Sequence, residues 1–110
     1  MVTRIWHGWT TPDNADEYER IVSEEVLPSI AARDLRGYHG AYLLRREIEG
    51  GEIEFATIMV FDSWDAVKEF AGGREDYETA YVPPAAQAVL KRFDAVSAHY
   101  ETLLSPSRSA

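Results

Sequence analysis

Two β-rich runs separated by Glu49-Gly50-Gly51-Glu52 constrain this chain more than any other feature of its sequence. The runs Tyr38 to Ile48 and Ile53 to Phe61 are rich in aromatic and branched residues. A Gly-Gly pair between such runs predicts a hairpin, because both central positions of the favoured two-residue turn need positive φ. With Gly50 and Gly51 as the turn, Glu49 pairs with Glu52 and Arg46 with Phe55. That register sets Tyr42, Leu44 and Arg46 on one face with Phe55, Thr57, Met59 and Phe61, and Ala41 and Leu43 on the other with Ala56, Ile58 and Val60. Both faces are apolar, so each needs a cover.

The flanking segments supply one cover. Residues 2 to 10 carry Val, Thr, Ile and Trp and read as a strand that runs into a helix start at Thr11-Pro12-Asp13-Asn14. Either Thr11 caps with Pro12 at the first helical position, or Asp13 caps with Asp16 three residues on. Tyr18, Val22, Val26 and Ile30 then recur every fourth residue with Ile21 and Leu27 beside them, while Asp16, Glu17, Glu24 and Glu25 take the other faces. Pro28 is expected to kink or interrupt this helix. After the hairpin, Asp62 or Ser63 caps a second helix carrying Val67, Phe70 and Ala71, which stops at Gly72-Gly73. A further helical piece after Pro83-Pro84 is expected to hold Ala88, Val89, Leu90 and Phe93, and a last strand runs from Ala95 to Leu103. Residues 1 to 104 read as a single domain, and the tail from Ser105 to Ala110 is expected to lack order.

The order β, α, β, β, α, β is the split βαβ arrangement of an α+β ferredoxin-like fold, an antiparallel sheet with both helices on one face. The second apolar face is then expected to pack on the same face of another copy, giving a homodimer. At 110 residues no second domain fits. Nineteen acids against 11 bases, a net charge of −8, argue against a nucleic-acid partner and against anionic membranes. No apolar run reaches the length of a signal peptide or a bilayer span, which makes the cytoplasm the expected location. The absence of cysteine removes disulfides, thiolate metal sites and cysteine nucleophiles.

Neither Gly-rich phosphate motif occurs, and His7, His39 and His99 fall on three different strands without metal-ligand spacing. No metal and no flavin or nicotinamide cofactor is therefore expected. The three Trp, six Tyr and four Phe leave two roles open: core and interface packing, or a cavity for a flat apolar ligand walled by Trp6, Phe55, Phe70, Tyr77 and Tyr81 with Tyr42.

Arg4-Ile5-Trp6-His7-Gly8, then Gly37-Tyr38-His39-Gly40 with Leu43-Leu44-Arg45-Arg46, Glu54-Phe55, Phe61-Asp62-Ser63-Trp64 with Phe70-Ala71-Gly72, and His99-Tyr100-Glu101 together resemble the antibiotic biosynthesis monooxygenase superfamily of dimeric α/β barrels. The resemblance spans residues 2 to 103. It implies a homodimer with a small-molecule cavity in each subunit and cofactor-independent oxygenation of an aromatic, phenolic or polyketide-like substrate. Heme-degrading members use an Asn in the first strand, a Trp at the end of the second helix and a His about ten residues later. Here the first strand has no Asn, Phe70 stands at the Trp position, and Ala80 beside Tyr81 replaces the His.

A cofactor-free oxygenase needs a base, a group that steadies a phenolate and an apolar space for oxygen. His99 is the candidate base, since its ordinary pKa of about 6.5 lies near physiological pH, or else a strand histidine bonded at a dimer interface. Arg46 either steadies the phenolate or pairs with Glu54 or Glu47 in the hairpin, and Tyr42 or Tyr77 could donate to a substrate oxygen. The rival reading is a non-catalytic ligand-binding or stress-related dimer of the same fold. A solvent-connected pocket with convergent His, Tyr or Arg favours the enzyme, and a closed or polar-free cavity favours the binder.

Overall fold

A computed structural model describes residues 1 to 106; of the tail 105 to 110, residues 107 to 110 lie outside the described part. Strand β1 (Val2–Thr10) occupies the middle of one antiparallel sheet. Along one side it pairs with β3 (Ile53–Phe61) over its full length, from Val2 opposite Phe61 to Thr10 opposite Ile53. Beyond β3 lies β2 (Tyr38–Glu47). The other edge of β1 carries two short pieces, β4 (Arg92–Phe93) and β5 (Ala98–Glu101). This is the ferredoxin-like strand order with the last strand broken in two. The expected strand from Ala95 to Leu103 is thus shortened, and residues 92 and 93, placed in a helical piece by the sequence reading, form a strand instead. Asp94 holds the break: its N–H donates to the His7 carbonyl at 2.9 Å, and its carboxylate accepts from the His7 backbone N–H at 3.0 Å.

Thr11 is the cap of the first helix: its hydroxyl accepts from the Asn14 N–H at 3.3 Å, with Pro12 in the first turn of α1 (Pro12–Ile21). Pro28 does not end the helix. The chain passes through a π-helical turn, Val22–Val26, in which the Leu27 N–H reaches back to Val22, and continues as α2 (Leu27–Ala31) with Pro28 at its start. A wider turn places proline where its missing donor and its ring do least damage. Ser63 caps α3 (Trp64–Phe70) by accepting from the Ala66 N–H at 3.2 Å. The later helical piece is a single short turn, α4 (Pro84–Gln87).

The hairpin register differs by one residue from the sequence reading. Arg46 pairs with Glu54, Arg45 with Phe55 and Leu43 with Thr57, because the connection has three residues rather than two. The Ile48 N–H donates to Glu52 at 2.9 Å, and the Gly51 N–H closes the turn on Ile48 at 3.1 Å. Gly50 and Gly51, with φ of 89° and 84°, both use the conformation that glycine tolerates best. A slip of one residue moves a whole side-chain row to the other face. Ala41 and Leu43 therefore join Phe55, Thr57 and Met59, and Tyr42, Leu44 and Arg46 lie on the opposite face with Glu54, Ala56 and Ile58.

Strands β1 and β3 both alternate strictly between buried and half-exposed residues. Their buried rows lie under the helices in two clusters. One joins Trp6, Ala15, Tyr18, Ile21, Val22, Ile53, Phe55 and Ala86; the other joins Val2, Ile30, Met59, Phe61, Ala66, Val67 and Phe70. The open face presents Tyr42 at 64% exposure, Tyr100 at 55% and Leu44 at 49%. Among the described residues no helix is long and apolar enough to cross a membrane.

Gly37 sits at the entry to β2 with φ of 82°, and a Cβ there meets the Ala66 Cβ at 2.9 Å. Gly50, at φ 89°, has nothing within 4 Å of such a Cβ. Gly37→Ala should therefore cost about 2–3 kcal/mol in denaturant unfolding, from strain plus contact, against about 1 kcal/mol for Gly50→Ala.

Candidate functional site

A cavity opens between the two core clusters, under the helices. Its floor is the inner row of the central strands, Arg4 and Trp6 with Thr57 and Met59, and its roof is Val22 and Val26 of the widened helical turn with Leu27 and Ile30 of α2. Tyr81 and Pro83 stand on the wall contributed by the chain before α4. The space amounts to about 540 Å³ including the part open to solvent. The lining is mostly hydrocarbon and aromatic, with Arg4 as the one charged side chain among the described residues.

Arg4 is 4% exposed and belongs to the same inner row as Trp6. Its guanidinium donates to the Tyr77 carbonyl at 2.8 Å, to the Thr79 carbonyl at 3.3 Å and to His99 Nε2 at 3.0 Å. All three partners are neutral. Among the described residues no carboxylate pairs with Arg4. Burial, and then the like charge of Arg74, pull its pKa down to about 10, so it remains a cation at neutral pH.

His99 lies beside Arg4 on the helix-covered side of the sheet, opposite Arg4 in the β1–β5 register. The open face that a second copy was expected to meet is instead formed in this strand by Ala98 and Tyr100, so the interface role considered for His99 does not fit its position. It does not line the cavity either. The rings of Tyr77 and Trp64 pack on it, with centroids 5.4 and 5.9 Å away. A guanidinium can only donate, so Nε2 is the acceptor and the proton of the neutral ring sits on Nδ1. That atom is buried without a hydrogen-bond partner among the described residues. Burial and the adjacent Arg4 hold the imidazole pKa below its ordinary value, against the opposing pull of Glu78.

The structure gathers Trp6, Phe70 and Tyr81 on the cavity wall. It leaves the other sequence-derived candidates elsewhere. Phe55 is fully buried in the core against Tyr18, at 4.6 Å between centroids, with no surface left for a ligand. Tyr77 packs with Trp64 and His99 outside the cavity. Tyr42 and Arg46 lie on the open sheet face, and Arg46 pairs with Glu54 at 3.1 Å. The one-residue register difference removes these two from the ligand side. Arg4 was the residue missed, although alternation with Trp6 in the first strand was the signal that places it inside. None of the three histidines lines the cavity: His7 is tied to Asp94, His39 to Asp62 and His99 to Arg4, so the cavity offers no imidazole to a metal.

The fold is that of the antibiotic biosynthesis monooxygenase proteins. A Bacillus cereus protein bearing the provisional name antibiotic biosynthesis monooxygenase superposes with a TM-score of 0.60 at 14% identity, over 99% of this chain and 96% of its own. The heme-degrader MhuD from Mycobacterium tuberculosis, solved with two hemes in its active site, matches with a TM-score of 0.59 at 20% identity, over 97% of this chain and all of its own. An uncharacterized NIPSNAP domain protein from Burkholderia xenovorans gives 0.57 at 14% identity, over 97% and 100% of the two chains. No family model and no curated protein matches the sequence.

The depressed pKa of His99 has a definite pH signature. Between its folded value and the ordinary value of about 6.5 the unfolded chain binds more protons than the native one, so this residue's contribution is complete above about pH 6.5 and declines as pH falls. His99→Gln keeps an acceptor for Arg4 and removes the titration. Denaturant unfolding from pH 8 to 5 should show the parent protein losing stability relative to His99→Gln as the pH drops.

Proposed function

We propose that the cavity binds a small aromatic molecule with an ionisable hydroxyl, and that the protein acts on it as a cofactor-independent monooxygenase in the form of a homodimer. The observation that supports this reading is Arg4, a buried guanidinium bonded only to neutral groups on the wall of an otherwise apolar, solvent-connected cavity. Trp6, Phe70 and Tyr81 supply flat surfaces for a ring, and Arg4 supplies the charge that favours its phenolate. A guanidinium about 4 Å from a phenolate at an effective dielectric of about 20 is worth about 4 kcal/mol, or close to a thousandfold in ionisation. No carboxylate or imidazole lines the cavity, so the phenol proton leaves through the open mouth to water.

An electron-rich phenolate can reduce dioxygen without a cofactor. For 1-naphthol the sum is C10H8O + O2 → C10H6O2 + H2O: one oxygen atom enters the ring as the second quinone carbonyl, the other leaves as water, and the substrate supplies all four electrons. The protein's part is to hold the ring, favour the anion and keep the reacting carbon in an apolar space.

The expected outcome is oxygen uptake with 1-naphthol or a dihydroxynaphthalene by chelator-treated protein, falling about 100-fold in Arg4→Met and partly retained in Arg4→Lys. Absorption titration of bound naphthol should show ionisation at lower pH than in water with the parent protein only. Binding without oxygen uptake would assign the alternative, a non-catalytic small-molecule-binding or stress-related protein.

The dimer rests on the open sheet face, where Tyr42, Leu44 and Tyr100 leave apolar surface in water beside the half-exposed Ile58 and Val60. Light scattering should give twice the 12.4 kDa chain mass, and the double change Tyr42→Glu with Leu44→Glu should return it to the monomer value.

A further inference from the structure

We infer that a second chamber, adjoining the cavity at Arg4, Phe70 and Tyr81, is a carboxylate-binding subsite, so that the ligand is an aromatic acid with its ring in the cavity and its carboxylate among arginines. The inference rests on the reading above for the seat of the ring alone. The chamber spans about 500 Å³ including the part open to solvent and is lined by Arg4 from β1, Arg33 from the turn after α2 and Arg74 from the loop after α3. Among the described residues no acidic side chain lines it. In a chain with 19 acids and 11 bases, three arginines meeting without an acid run against composition.

The energetics point the same way. Arg4 is buried and bonded only to two carbonyls and a neutral imidazole, and removing a guanidinium from water without a counter-ion carries an uncompensated desolvation cost. Arg33 donates to the Phe70 carbonyl at 3.1 Å, and the guanidiniums of Arg4 and Arg33 lie over the Phe70 ring at 5.1 and 5.5 Å. Two cations are thus anchored around one ring, and among the described residues no acidic side chain lines the chamber with them. Arg74 adds a like charge that Arg4 senses; its own partner, Asp76 at 3.4 Å, forms an exposed pair and does not line the chamber. A planar carboxylate fits the guanidinium fork and relieves this repulsion. The two spaces share Arg4, Phe70 and Tyr81 as walls, so a group carried on the ring faces the arginines.

Calorimetric titration at low salt with 2-naphthoate, 2-naphthamide, 2-naphthol and inorganic phosphate tests this. The expected result is 2-naphthoate binding at least about tenfold tighter than the isosteric, uncharged 2-naphthamide, with that advantage lost in Arg33→Gln and in Arg74→Gln. Both arginines are exposed apart from the chamber, whereas Arg4 is left intact because its loss would unpair two buried carbonyls. The inference is overturned if naphthoate and naphthamide bind alike, if neither arginine change alters their ratio, or if phosphate alone binds as tightly as naphthoate. Binding of 2-naphthol reports the cavity by itself. Its failure would overturn the aromatic reading of the cavity, while the naphthoate-to-naphthamide ratio reports the chamber.

Discussion

The central position of β1 is the constraint on which the rest of this structure depends. It is hydrogen-bonded on both edges, and its pairing with β3 matches buried row to buried row over the full length of both strands. Val2, Arg4, Trp6, Gly8 and Thr10 are therefore all turned under the helices, whatever their chemistry. Four of the five suit that environment. Arg4 is carried in by the pleat, and its charge becomes the polar feature around which a site can form.

The helix above this row leaves room for a site because it cannot run straight over it. Pro28 has no N–H to offer, and the chain widens into a π-helical turn before it. Val22 and Val26 from that widened segment, with Leu27 just after it, form the roof of the cavity, which lies where the two core clusters fail to meet. A local irregularity that costs a little helix stability thus shapes the cavity. The break in the last strand acts in a comparable way. The His7–Asp94 bonds pin the chain, and the Trp6 indole donates to the Asp94 carbonyl at 2.8 Å, which fixes the ring that floors the cavity.

The likeness to solved structures at 14–20% identity describes a backbone shape, and what lines the cavity follows from this chain's own side chains. Its cavity carries an arginine bonded to neutral groups and no histidine, and its second chamber carries three arginines. Chemistry on this fold is decided by which side chains each row of the sheet turns inward.

Periodicity and punctuation in the sequence were enough to set the ferredoxin-like topology and to narrow each helix cap to two candidates, Thr11 or Asp13 and Asp62 or Ser63, because each is a local consequence of side-chain spacing and backbone preference. The hairpin register was not local in that sense. Two glycines serve a two-residue or a three-residue connection equally well, and only the packing of Ala41 and Leu43 against the helix-covered clusters distinguishes them, which leaves Tyr42 and Arg46 on the open face. The same holds for the site. Alternation alone could turn Arg4 inward, but its neutral partners, the placing of His99 as its brace and the approach of Arg33 and Arg74 come from segments up to 95 residues away, which only the folded chain brings together. Spacing along a strand dictates which face a side chain takes; what it meets there depends on long-range packing.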